Sequence, residues 1–237
     1  MKGISAALRT VVMAKYPRPG EVKTRLVEGG LCRPEGAAGL AWVFLECTIR
    51  RLAARGPVVL AASPDGAGPD MLRRLELARD ADVRLADQGP GDLGHRLDHV
   101  WRTVAPDGPI AFFGVDSPDV PESALDAIPA ALAGAELAIG PAHDGGYWTL
   151  AARRYLPQVL RRIDWGGPSV YDQTCQRAEE ARLTRAELPR WHDVDRPEDV
   201  RALRRRLMTL TRPAGERERP LMRRAERIDD LLDRPRL

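Results

Sequence analysis

An α/β fold with a mainly parallel sheet is predicted by three features of the 237-residue sequence. Apolar runs of about five to seven residues recur, stretches with helical spacing separate them, and clusters of Gly, Pro and Asp close the runs. With 43% hydrophobic and 30% charged residues, a chain of this length buries a substantial core in one domain.

The first run, Leu8 to Ala14, reads as a strand and leads into Lys15-Tyr16-Pro17-Arg18-Pro19-Gly20-Glu21-Val22-Lys23-Thr24-Arg25-Leu26. Prolines and glycine exclude regular structure there, so Lys15, Arg18, Lys23 and Arg25 are expected around one concave turn. A helix follows over about Glu35 to Ala54, with Leu40, Val43, Phe44, Cys47 and Leu52 as its apolar stripe. Val58 to Ala62 is the second strand, a short helix spans Met71 to Leu77, and Val83 to Ala86 is the third strand. The glycine-rich loop Gln88 to Arg96 opens a helix that carries Leu97, Val100, Trp101 and Val104 inward. Ile110 to Val115 is the most apolar run and reads as a strand buried on both faces, the centre of the sheet, ending at Asp116-Ser117-Pro118.

A helix is expected over Pro121 to Ala133, a strand over Glu136 to Gly140, and a returning strand over Tyr147 to Ala151. Asp144-Gly145-Gly146 between those strands is a turn that reverses the sheet direction. Helical stretches at Leu156 to Ile163 and Val170 to Arg182 flank the loop Trp165 to Pro168. Ala186 to Trp191 is a last possible strand, and His192 to Val200 opens a helix running to about Leu210. The domain is assigned to residues 1–211. Residues 212–237 are a charged extension with one amphipathic helix (Leu221, Ala225, Ile228, Leu232) that could pack on a second subunit.

Charge and length exclude several classes. Residues 201–237 hold twelve arginines against six acids, a surplus of +6 that leaves −3 for residues 1–200 out of the total of +3. The body is not basic, which argues against nucleic acid as a partner. No apolar run reaches the ~20 residues of a membrane span. The first six residues lack a leader pattern, and Cys32, Cys47 and Cys175 are odd in number and far apart; both suit a cytoplasmic protein with reduced thiols.

In open α/β sheets, ligands bind beyond the carboxyl ends of the strands. Five elements fall there: the basic loop, Gln88 to Arg96, Asp116, Asp144, and Asp193 to Asp195. The basic loop is a phosphate site or a solvated turn. Asp116, after the most buried strand, is a metal ligand or a turn cap, and Asp195 or Asp193 would supply the second oxygen unless both cap the last helix. Asp144 offers a carboxylate as ligand or general base, with Gly145 and Gly146 letting a substrate approach, or it is simply a hairpin turn. Gln88, Asp92 and Arg96 are candidate base or ribose contacts by position alone. Trp165 packs on a substrate ring or in the core. His95, His99, His143 and His192 show no ligand spacing.

The segments Lys15 to Leu26, Gln88 to Arg96, Gly114-Val-Asp-Ser-Pro118 and Gly140-Pro-Ala-His-Asp-Gly-Gly-Tyr147, in this order, resemble a small bacterial glycosyltransferase family of GT-A type. Its members are associated with radical-SAM, selenium-related or arsenosugar genes, and many carry only an unknown-function label. More distantly, Gly114 to Pro118 and His192 to Val200 are similar to the acidic signatures of molybdenum-cofactor and phospholactate guanylyltransferases. The resemblance covers about residues 8–205 and implies a Rossmann-like three-layer α/β/α fold with a mainly parallel mixed sheet.

It further implies a nucleotide-diphosphate-sugar site, diphosphate contacts from the first loop and a divalent cation near Asp116. The expected residues are Lys15, Arg18, Lys23 and Arg25 for the diphosphate and Asp116 with Asp195 for Mg²⁺ or Mn²⁺, with a small molecule as acceptor. Arg196 stands where the relatives carry a threonine, so a role for that hydroxyl does not carry over, and the extension after residue 211 has no counterpart. Metal-dependent glycosyl transfer with Asp144 as catalytic group is the leading expectation. The alternatives are nucleotidyl transfer from an NTP to a phosphorylated metabolite with release of pyrophosphate, and a non-catalytic nucleotide- or partner-binding member of the fold.

Overall fold

The computed structural model describes residues 7–209 except 76 and 78–80. Its strands are Arg9–Lys15 (β1), Val58–Ser63 (β2), Val83–Asp87 (β3), Ile110–Phe113 (β4), Leu137–Pro141 (β5), Tyr147–Ala152 (β6) and Arg185–Glu187 (β7). The helices are Thr24–Glu28 (α1), Pro34–Ala53 (α2), Gly68–Arg74 (α3), Leu93–Val104 (α4), Glu122–Asp126 (α5), Ile128–Gly134 (α6), Val170–Glu180 (α7) and Pro197–Thr209 (α8).

The strands pair in the order β3, β2, β1, β4, β6, β5, β7. β1 lies parallel to β2 and β4, and only β6 runs antiparallel to its neighbours, β4 and β5, among the described residues. The Asp144 turn therefore does reverse the sheet direction, and β4 is the middle strand. Alternate side chains of each strand go to opposite faces. Val12, Ala111 and Phe113 pack with Leu45, Ile49, Met71 and Ile128 from α2, α3 and α6, whereas Val11, Ile110 and Phe112 pack with Leu97, Trp101 and Cys175 from α4 and α7. Helix layers on both faces of a mixed sheet make the three-layer α/β/α fold.

A third cluster positions the site. Leu26 of α1, Leu40 and Phe44 of α2, and Val194, Val200 and Leu203 at and before α8 bury one another. Full burial of each large aliphatic side chain contributes about 1.5–3 kcal/mol. The cluster clamps segment 193–195 onto the first loop, some 170 residues away in sequence.

Several elements differ from expectation. The basic loop is not free of regular structure, because α1 begins at Thr24 behind a left-handed Lys23 (φ 50°, ψ 35°). The helix expected over 121–133 is two pieces, α5 and α6. Pro129 has no N–H to donate to the Leu125 carbonyl, which breaks the ladder there. The stretch 156–163 keeps one 3₁₀ turn, Pro157–Leu160. The last strand shortens to β7 ahead of Pro189, with Trp191 making an isolated bridge to Ala142. The domain limit at 211 and the 212–237 amphipathic helix lie outside the described residues. No described helix is long and apolar enough to cross a membrane, and Cys32, Cys47 and Cys175 are buried and outside any disulfide among the described residues.

Candidate active site at the switch point of the sheet

From β1 the chain moves to β2 on one side, and from β4 the order continues on the other, so a crevice opens between the carboxyl ends of β1 and β4. A cavity of about 350 Å³ occupies it, walled by Met13 and Ala14 of β1, Phe112 of β4, Leu93 and Leu97 of α4, and Leu45 of α2. Lys15, Lys23, Asp116 and Asp195 are its polar rim. A second cavity, about 440 Å³, starts on the far side of Asp195 and is lined by Arg25, His143, Asp144, Gly166, Gly167, His192 and Asp193, among others. The first is largely apolar, whereas charged and polar residues make up most of the lining of the second.

Asp195 lines both cavities, and Lys23 holds it. The Lys23 side chain is 5% exposed, and its ammonium donates to Val194 O at 2.7 Å and Asp195 Oδ1 at 2.8 Å and pairs with Asp116 Oδ1 at 2.5 Å. Burial by itself favours the neutral amine, but the charges of Asp116 and Asp195 outweigh it and hold the ammonium above its ordinary pKa. Three partners for three N–H donors also explain why a lysine tolerates the left-handed backbone, which costs about 1–2 kcal/mol. Lys23 thus holds the carboxylates, where the sequence suggested a diphosphate contact. Asp195 is engaged on both oxygens, Oδ1 by Lys23 and Oδ2 by Arg25 at 3.6 Å.

Asp193, two residues earlier, has the opposite environment. Its Oδ1 accepts from Ser117 Oγ at 2.6 Å, while its Oδ2 is buried without a hydrogen-bond partner. Burial first, then the charges of Asp144 and Asp116, push its carboxyl up to about 8 against the pull of Ser117. Neither Asp193 nor Asp195 caps the last helix: Asp199 does, accepting from Asp195 N and Arg196 N. Asp144 is exposed, and its Oδ1 accepts from Gly146 N at 2.8 Å in a local turn.

The rest of the basic loop divides. Lys15 is half exposed, donates to Glu21 O and lines the first cavity; Arg18 pairs with Glu21 at 3.8 Å outside both cavities. Arg25 lines the second. Gln88, Asp92 and Arg96 line neither. Gln88 is buried and its amide donates to Ala14 O and Ala61 O, tying β1 to β2; Asp92 caps α4 through His95 N; Arg96 donates to Gly91 O and Ser63 Oγ. Trp165 also lines neither: its indole lies so close to Gly94 that a Cβ there would sit 2.3 Å from Nε1. Gly145 (φ +92°) admits the Pro168 carbonyl, 1.7 Å from where its Cβ would be, so the close approach it permits is to the 166–168 loop.

One pair was missed. The Ala142–Trp191 bridge sets His143 beside His192, rings stacked at 4.4 Å, both on the second cavity. Forty-nine positions separate them, and their only signal in sequence was that each follows the end of an expected strand.

A divalent cation is a fair test of this donor set. Among the described residues no three acidic, imidazole or thiol groups form a ready cluster. The buried, unpartnered Asp193 Oδ2, pressed by the charges of Asp144 and Asp116, is nevertheless an oxygen donor without a cation. A Mg²⁺-type ion is commonly held by one or two carboxylates, with substrate phosphates and water completing it, so the residues fit.

Comparison with known proteins gives the class first. A crystal structure from Desulfovibrio desulfuricans, described as a "putative nucleotide-diphospho-sugar transferase", is 28% identical and covers 94% of this chain and 96% of that one, with TM-score 0.78. CMP:2-keto-3-deoxy-manno-octonic acid synthetase complexed with CTP matches at 13% identity over 87% of this chain and 100% of that one, TM-score 0.55. The inositol-1-phosphate CTP transferase of T. maritima matches at 12% identity over 93% and 97%, TM-score 0.50. The fold is therefore that of nucleotide-diphospho-sugar transferases and cytidylyltransferases. The chain itself belongs to the family described as "Uncharacterized protein conserved in bacteria (DUF2064)", which matches residues 48–167, just over half of its length. No curated protein matches the sequence.

Proposed function

We propose that the protein is a metal-dependent transferase that moves a sugar from a nucleotide diphosphate to a small acceptor. The observation that carries this reading is the meeting of an apolar cavity and a charge-lined one at Asp195, which Lys23 holds, over the switch point of the sheet. The apolar cavity suits a nucleoside, with Lys15 at its rim for the diphosphate and Arg25 across Asp195. Mg²⁺ or Mn²⁺ would be held by Asp116 and Asp193 rather than Asp116 and Asp195, because Asp195 is already neutralised by Lys23 and Arg25. That ion, when bound, would offset the charge that develops on the leaving diphosphate.

In the transfer, an acceptor hydroxyl oxygen bonds to the anomeric carbon. The bond from that carbon to the diphosphate oxygen breaks, its electron pair leaves with the nucleoside diphosphate, and the hydroxyl proton passes to the exposed carboxylate of Asp144. Buried cysteines that form no disulfide suit a cytoplasmic setting.

A second reading, nucleotidyl transfer, is favoured by the two CTP-linked neighbours of the same fold. Product analysis separates them: release of nucleoside diphosphate from a nucleotide sugar supports glycosyl transfer, and release of pyrophosphate from an NTP supports the other. In either case Asp116→Ala lowers turnover by roughly two to three orders of magnitude, as loss of one electrostatic stabiliser does. Near-normal turnover in that variant overturns the site.

A further inference from the structure

The second cavity has the size of a small-molecule site, and its walls discriminate between acceptor classes. Resting on the proposed group transfer, we infer that this cavity is the acceptor site and that its acceptor is a small, uncharged, hydroxyl-rich molecule, not a phosphorylated one.

Charge is the first argument. Four carboxylates, Asp144, Asp193, Asp195 and Asp199, line the cavity against two guanidiniums, Arg25 and Arg196, and Arg25 is already paired with Asp195. A divalent ion at Asp193 would balance carboxylates and donor diphosphate. An acceptor phosphate would add about −1.5 to −2 charge against that wall.

The second argument is that amides at both helix starts bordering the cavity, the usual phosphate cradles, are already engaged. At α8 the Asp195 and Arg196 amides already donate to the Asp199 carboxylate, 3.1 and 2.7 Å away, so the chain supplies its own anion. At α7 the Tyr171 amide donates to Gly145 O at 2.8 Å and the Gln173 amide to Ser169 O at 2.9 Å. The Gly167 amide, in the loop between, donates to Asp164 O at 3.1 Å. These backbone donors are therefore taken.

What the wall does present suits hydroxyls. His143 and His192 stack at 4.4 Å, and both are exposed and line the cavity. A neutral imidazole offers one donor and one acceptor, and a hydroxyl group uses both. Asp144 adds an acceptor carboxylate beside them.

The test uses matched pairs: glycerol and glycerol 3-phosphate, glucose and glucose 6-phosphate, myo-inositol and its monophosphate. Binding to the full chain is measured by ligand-observed NMR and calorimetry, with and without nucleoside diphosphate and Mn²⁺. The expected result is that neutral members bind at least tenfold more tightly than their phosphates, and that H143A/H192A weakens them at least fivefold. If the double variant does not fold, His143→Ala alone is measured and must weaken them at least twofold. Preference for the phosphorylated members, binding by neither class, or binding indifferent to the histidines overturns the inference. The nucleotide and Mn²⁺ are also titrated without any acceptor. Failure there strikes the proposed function, whereas success there combined with a phosphate preference strikes this inference alone.

Discussion

Lys15 and Lys23 lie eight residues apart in one loop, yet the fold gives them different work. Lys15 stands half exposed at the rim of the apolar cavity, bonded to Glu21 of its own loop. Lys23 is buried and fastens the loop to Asp116 after β4 and to Asp195 before α8. Asp193 and Asp195 repeat the contrast: one has a buried oxygen without a partner, the other has a cation on each oxygen. In both pairs the residue type fixes the charge, and the tertiary partner decides whether that charge is a structural tie or is open to a ligand.

Breaking the tie has the largest expected effect. Lys23→Ala leaves two carboxylates facing each other with no ammonium between them and frees Val194 O. Removing one partner of a fully buried pair costs about 3–5 kcal/mol. Asp116 and Asp195 are 46% and 32% exposed, so solvent reduces the loss here to about 1–3 kcal/mol. In a chain of this size that lowers Tm by several degrees. Differential scanning calorimetry checks it, and a Tm within a degree of the parent would show that Lys23 is not a tie.

The contrast between the two aspartates predicts a pH effect. The folded protein keeps the Asp193 proton up to about pH 8, under burial and the charges of Asp144 and Asp116, whereas the unfolded chain releases it near 4. Between these values the unfolded state binds fewer protons, so this residue makes stability fall as pH rises from about 4 to 8 and level off above. A cation at Asp193 opposes that fall. Mn²⁺ should therefore raise the parent's Tm more at pH 8 than at pH 5, and Asp193→Asn should flatten the metal-free slope and remove the metal's effect. Equal slopes in parent and variant would place the ion elsewhere.

Much of this architecture was legible in the sequence. Four buried residues in a row, Ile110 to Phe113, mark the central strand, and Asp-Gly-Gly marks the one reversal of direction. Pro129 carried the signal for the break between α5 and α6, though the run around it reads as one helix. The site was legible only as a set of strand ends. Lys23 is buried because Leu26, Phe44 and Val200 pack into one cluster, and the histidines meet because Ala142 pairs with Trp191. Those are contacts across tens to more than a hundred positions, and no local pattern encodes them. Gln88 shows the reverse case: its place at a strand end suggested a ligand contact, but burial turned its amide onto two backbone carbonyls.

The smallest expected effect sharpens the comparison from the other side. Lys15 is 51% exposed and its partner Glu21 45%, so their pairing at 3.5 Å contributes little to stability. Lys15→Ala should leave Tm within about 2 °C of the parent, as surface changes of up to about 0.5 kcal/mol do. Its ammonium nevertheless borders the apolar cavity, and an exposed charge contact of about 0.2–1 kcal/mol corresponds to a roughly 1.4- to 5-fold loss of affinity. Calorimetric titration of a nucleoside diphosphate with Mn²⁺ into Lys15→Ala should show that weakening, and added salt should shrink the difference because the contact is solvent-exposed. Weakening without destabilisation in Lys15→Ala, beside destabilisation in Lys23→Ala, would separate the ligand-facing cation from the structural one within a single loop. Unchanged affinity in Lys15→Ala would return the outer half of the loop to a solvated turn and leave the diphosphate to Arg25 and the metal.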